Sequence, residues 1–128
     1  MTKKLWPFAL VAMVALAACG GGGGGGGESE TCSPSGTSLQ ITAQNNQFDK
    51  SCLAAPAGQS FTITLDNKDT QQHNVAIYTD SSANQNLFRG ELDTGPKTIT
   101  YNVKGLDAGR YFFRCDVHPS MNGTFIVK

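Results

Sequence analysis

Tyr111-Phe112-Phe113-Arg114-Cys115-Asp116-Val117-His118-Pro119-Ser120-Met121 runs from an aromatic stretch straight into a thiol, an imidazole and a thioether set three residues apart. The stretch Tyr111 to Cys115 predicts a strand, and His118-Pro119 predicts that the chain turns immediately after it. A C-x-x-H-x-x-M spacing allows the three side chains to face inward together from one tight loop. A fourth donor is then needed, and the chain holds only two histidines. The second, His73, opens another strand after a polar turn. Two imidazoles, one thiolate and a weak axial thioether form a set that suits copper. Zinc favours a tetrahedral set of Cys and His, to which a thioether adds little. Each residue also has a plainer reading: Cys115 as core, Met121 as filling, a histidine as a satisfied polar group. The coincidence of all four decides for the metal.

Outward from that loop, the chain alternates apolar and polar residues with period two. Leu39, Ile41 and Ala43 do so, as do Phe61, Ile63 and Leu65, and Ile99, Tyr101 and Val103. That is the pattern of half-buried strands. Val75 to Tyr78 and Phe125 to Val127 add further runs, and Ala57-Gly58, Asn67-Lys68-Asp69, Gly95-Pro96, Gly105 and Gly109 punctuate them. No window carries a helical stripe of useful length. The expectation is an all-β fold, a Greek-key sandwich or barrel of seven or eight short strands. The gap from Thr79 to Thr94, with Leu87-Phe88-Arg89 inside it, is expected to hold a short helical turn.

The N-terminal part has a different character. Lys3 and Lys4 precede an almost unbroken apolar run from Leu5 to Ala18, the layout of a secretory signal and too short for a comfortable bilayer span. Leu16-Ala17-Ala18-Cys19 resembles the bacterial lipobox, which implies a lipid on Cys19 after removal of residues 1–18. An uncleaved apolar anchor is the alternative, and either reading exports the rest. Gly20 to Gly27 and the polar stretch to Ser38 read as a flexible tether over 19–38, leaving 39–128 as the folded domain.

Four cysteines are present. With Cys19 taken by the lipobox and Cys115 by the metal loop, Cys32 and Cys52 remain as a pair, for which an oxidising compartment favours a disulfide. Two free thiols are the alternative. Lys and Arg total 10, as do Asp and Glu, so removal of Lys3 and Lys4 leaves 8 against 10, a net charge of −2. That balance gives no sign of a nucleic-acid partner. Asn122-Gly123-Thr124 matches a glycosylation sequon, discounted because it lies in the metal loop of a chain with a bacterial leader.

From Leu39 to Lys128 the sequence resembles the cupredoxins, the type 1 blue copper family. Ala57-Gly58-Gln59, Asp66-Asn67-Lys68-Asp69, His73-Asn74-Val75-Ala76 and Cys115 through Val127 stand in the family's order, and the short ligand loop is most similar to amicyanin and plastocyanin-like members. The resemblance implies one mononuclear copper ion. It makes His73 the buried ligand, His118 the ligand near the surface through which electrons pass, and Asn74 the residue that braces the cysteine and its loop. Asp116 stands where the family often has a small or hydroxyl residue. Implied partners are redox proteins such as c-type cytochromes or membrane electron-transfer complexes, met by a monomer anchored at Cys19 in the cell envelope and facing the periplasm or the exterior.

Three function classes compete. An electron carrier needs one donor set that serves both copper oxidation states, and the Cys-His-His-Met set does so. A delivery or storage protein would favour an open site rich in Met or His, yet Met121 is the one methionine beyond residue 13. An enzyme would need further histidines for a catalytic copper, and none is spare. The reading is a carrier and not an enzyme, with copper delivery or storage as the alternative.

Overall fold

The structure, a computed structural model, describes residues 31–128. The expected signal peptide over 1–18, Cys19 and the glycine tract therefore lie outside the described residues. Within them every regular element is a strand: β1 (Ser38–Gln44), β2 (Gln47–Phe48), β3 (Cys52–Ala55), β4 (Phe61–Asn67), β5 (Gln72–His73), β6 (Ala76–Tyr78), β7 (Asn86–Arg89), β8 (Asp93–Thr94), β9 (Lys97–Val103), β10 (Gly109–Arg114) and β11 (Asn122–Val127). Three of these, β2, β5 and β8, are two residues long, which leaves eight longer strands, within the expected number. One sheet has the order β2-β1-β4-β9, the other β3-β11-β10-β6-β7, and β5 and β8 form a separate two-stranded ribbon. Pairing is antiparallel except between β1 and β4 and between β3 and β11.

Alternation in the sequence places the core. Along β4 the residues Phe61, Ile63 and Leu65 are buried, while Thr62, Thr64 and Asp66 lie on the opposite face. Leu39, Ile41 and Ala43 of β1 and Tyr101 and Val103 of β9 join them, against Leu53, Ile77, Phe113, Phe125 and Val127 of the second sheet. Two ring pairs contribute to this packing, Phe48 with Phe113 at 5.7 Å and Phe61 with Phe125 at 5.5 Å between centroids. Truncating a buried phenylalanine such as Phe125 to alanine costs about 3–5 kcal/mol in such a core.

The segment expected to hold a helical turn instead carries β7 and β8. β7 is an edge strand of the second sheet, in which Phe88 packs against the core while Leu87 is exposed. A strand with one inward side chain shows no alternation to read. Cys32 and Cys52 form a disulfide across 20 residues. Closing a loop of that length stabilises by about 3 kcal/mol in the chain-entropy picture. Cys115 is the free cysteine among the described residues.

Candidate metal centre

The first histidine is delivered by the connection between the two sheets. β4 ends at the buried Asn67, whose Nδ2 donates to the carbonyls of Gln71 and Asp93, both at 2.9 Å, while its Oδ1 accepts the Asp69 N–H at 3.0 Å. This buried side chain satisfies the backbone of the turn from inside, although the turn residues themselves are largely exposed. His73 follows in β5, paired with Asp93 of β8, and is fully buried.

The other donors come from the end of β10. Phe113 points into the core, Cys115 follows two residues on and is fully buried, and the chain then turns back to start β11. The loop is closed by its own backbone: the Cys115 N–H donates to Met121 O at 2.9 Å and the Met121 N–H to His118 O at 2.8 Å. Asn122 caps it, its Nδ2 donating to Pro119 O at 2.9 Å and Ser120 O at 3.3 Å. Gly123 must be glycine, because a Cβ there would stand 2.3 Å from Ser51 O and 2.6 Å from the Phe113 ring. His118 is half-buried, Met121 is buried, and Val117 between Asp116 and His118 is exposed.

Folding brings the three donors together. Cys115 Sγ lies 3.7 Å from His73 Nδ1 and 3.9 Å from His118 Nδ1, and all three atoms fall within 4.8 Å of one another. With bonds of about 2.3 Å to thiolate and 2.0–2.1 Å to imidazole, as for a zinc-sized ion, a trigonal arrangement sets sulfur and nitrogen roughly 3.8 Å apart. The two sulfur–nitrogen separations match that arrangement, and the two histidine nitrogens, within 4.8 Å of each other, would close to about 3.6 Å around such an ion. Among the described residues the cluster holds one thiolate and two imidazoles but no carboxylate, a soft and borderline set that suits copper.

Asn74 and Asp116 stand beside the cluster. Asn74 Oδ1 accepts the Asp116 N–H at 2.8 Å, and Asn74 Nδ2 donates to Gly90 O at 2.9 Å and to Asp116 Oδ2 at 3.1 Å. The carboxylate at position 116 thus adds a contact to the brace that the resemblance implied. Around it gather residues that sequence reading did not assign to the site. Tyr78 OH donates to Asp116 Oδ1, Arg89 Nε pairs with Oδ2 at 3.1 Å, and Arg114 Nε reaches Oδ1 at 3.4 Å. Arg114 also lies over the Tyr78 ring, 4.8 Å from its centroid. Burial pushes the Asp116 carboxyl up, but the bonds from Tyr78 and Asn74 and the charge of Arg89 reverse that, holding it below the usual carboxylate range.

On the opposite side of His73, Asp69 Oδ2 lies 2.8 Å from Nε2. The Asn46 N–H first, then His73, hold the Asp69 carboxyl below its ordinary value. In the sequence Asp69 reads as part of the turn Asn67-Lys68-Asp69. Its spacing, four residues before a candidate ligand, was the signal available for a larger role.

Comparison with known proteins agrees with this fold. Among solved structures, a dithionite-reduced auracyanin from Roseiflexus castenholzii is 21% identical, with 72% of this chain and 97% of that chain covered at a TM-score of 0.64. Auracyanin A, a "blue" copper protein from Chloroflexus aurantiacus, is 22% identical over 73% of this chain and 99% of that chain, at 0.62. Amicyanin from Paracoccus versutus is 26% identical over 71% and 81%, at 0.54. No curated protein matches the chain. The family model described as a cupredoxin-like domain matches residues 8–127, nearly the whole sequence and all the donors brought together above. On that match the chain belongs to the cupredoxin-like family.

Proposed function

We propose that this chain is a single-electron carrier of the blue copper type, with one copper ion held by His73, Cys115, His118 and Met121. The observation that carries the reading is the convergence of His73 Nδ1, Cys115 Sγ and His118 Nδ1 within 4.8 Å. Copper bound there would cycle between two oxidation states. The protein's part is to keep the donors still through that cycle, and the buried Cys115 and His73, with the backbone-closed loop, support this. A site prearranged for both states reorganises little, which suits rapid exchange of an electron. His118 is the more exposed of the two histidines and adjoins exposed Val117, which favours this side for contact with redox partners. Blue copper proteins of the family are electron carriers, not enzymes.

Residues 1–18 as a signal, a lipid on Cys19, a tether from there to Cys32, where the bridge to Cys52 fastens the chain to the domain, and an envelope location complete the proposal. The partners would be redox proteins such as c-type cytochromes or membrane electron-transfer complexes. Delivery or storage of copper is disfavoured by a site whose thiolate and first imidazole are buried, because a chelator or acceptor cannot reach them without opening the loop.

The test is the visible spectrum of the full chain with Cu(II). An intense thiolate band, bleached on reduction and abolished in Cys115→Ser, is expected. A colourless complex, or colour that persists in Cys115→Ser, would overturn the reading.

A further inference from the structure

Asp69 is not one of the donors that face the centre of the cluster, yet both of its oxygens are engaged. Oδ1 accepts the Asn45 N–H at 2.7 Å, and Oδ2 accepts the Asn46 N–H at 3.0 Å while lying 2.8 Å from His73 Nε2. Asn45 and Asn46 are the two-residue loop between β1 and β2, whose last rungs pair Gln44 with Gln47. Both have φ of 55°, the left-handed conformation that such a hairpin loop requires and that asparagine tolerates. Successive N–H groups in a turn of this kind form a concavity that holds an anion. Here the anion is the side chain of Asp69, which reaches over from the turn after β4. His73, its third partner, is fully buried.

We infer that Asp69 is a positioning residue of the metal centre: cradled by the Asn45–Asn46 turn, it fixes His73 as the Nε2–H tautomer and sets a negative charge behind the ligand. An ionised carboxylate only accepts hydrogen bonds, so Nε2 must donate, and the lone pair is left on Nδ1, the atom that lies 3.7 Å from Cys115 Sγ. Outer partners of this kind fix ring orientation and raise ligand basicity. A more basic, negatively backed imidazole stabilises the more highly charged metal state, and so lowers the reduction potential. The statement about potential rests on the copper reading above, whereas the statement about the tautomer does not.

The test therefore has two arms. In the metal-free full chain, nitrogen-15 NMR of His73 should find the proton on Nε2, exchanging slowly with solvent, and Asp69→Ala should give mixed tautomers and faster exchange. In the copper-loaded chain, Asp69→Asn should keep the thiolate band and shift the Cu(II)/Cu(I) preference about tenfold towards Cu(I), a rise of 59 mV for one electron. A wild-type His73 protonated on Nδ1 would overturn the inference even if no variant folds. So would an Asp69→Asn protein of unchanged colour and unchanged potential. Wild-type chain that takes up Cu(II) without a thiolate band would sink the copper reading instead, and the tautomer arm would still decide the role of Asp69.

Discussion

Asn74 and Asp116 hold each other by two hydrogen bonds, backbone N–H to side-chain oxygen at 2.8 Å and side-chain amide to carboxylate at 3.1 Å. The pair ties the first residue after β5 to the residue next to Cys115, 42 positions further on. It joins the two segments that carry His73 and Cys115.

This tie makes Asn74 a stability residue as well as a brace. Asn74→Ala leaves the Gly90 carbonyl and the Asp116 N–H without their buried partner, each worth about 1–3 kcal/mol when unsatisfied. The metal-free full chain should lose about 2–6 kcal/mol in urea unfolding. A loss within the error of the wild type would remove Asn74 from the brace.

Met121 separates a carrier from a delivery protein. A long thioether bond contributes little affinity but moves the potential, because sulfur donation stabilises the two oxidation states unequally. Met121→Leu should keep copper and colour while the potential rises, since loss of a donor disfavours Cu(II). Redox titration and competition with a Cu(I) chelator check this on one sample. Lost Cu(I) retention with an unmoved potential would favour delivery.

Tyr101 predicts an alkaline limit. It is buried in β9, and its OH donates to Glu91 O at 2.7 Å. Burial, followed by the charge of Asp93, raises its pKa above the usual phenol value near 10. A group whose folded value is raised contributes stability that is fully present below the unfolded value. That stability is lost as the pH climbs from about 10 towards and through the folded value. Melting temperature should therefore decline above about pH 10, less steeply in Tyr101→Phe than in the wild type. Parallel curves for the two proteins would show that ionisation of Tyr101 is not the cause.

Much of this was legible in the sequence, for identifiable reasons. β1, β4 and β9 announce themselves because each has one face in the core, so alternation is written into them. The four proposed ligands were legible because their chemistry is rare and their spacing tight. β7 and β8 were not, since an edge strand with one inward ring and a two-residue ribbon leave no pattern. The residues outside the donor set were harder still. Arg114 carries no local signal of a role at the site, yet it packs on Tyr78 and pairs with Asp116. Asp69 reads as turn chemistry, and only the fold shows the histidine ring against it. Long-range partners of common residue types carry no local signature.

The bridge from Cys32 to Cys52 also decides how the domain bears load. A pull on the chain ahead of Cys32 passes through sulfur directly into β3 and bypasses residues 33–51, including all of β1 and its turn. β3 runs parallel to β11, with Cys52 opposite Thr124 and Ala55 opposite Val127, so tension between the two ends of the chain shears several rungs at once instead of unzipping them singly. The hairpin turn that cradles Asp69 stays out of the force line. Reduction of the bridge would bring β1 into it and add roughly 60–65 Å of extensible chain beyond the 6.1 Å that the bridge already spans. Single-molecule stretching of the full chain, oxidised and reduced, would register that added length, and equal contour lengths in the two states would rule the bypass out.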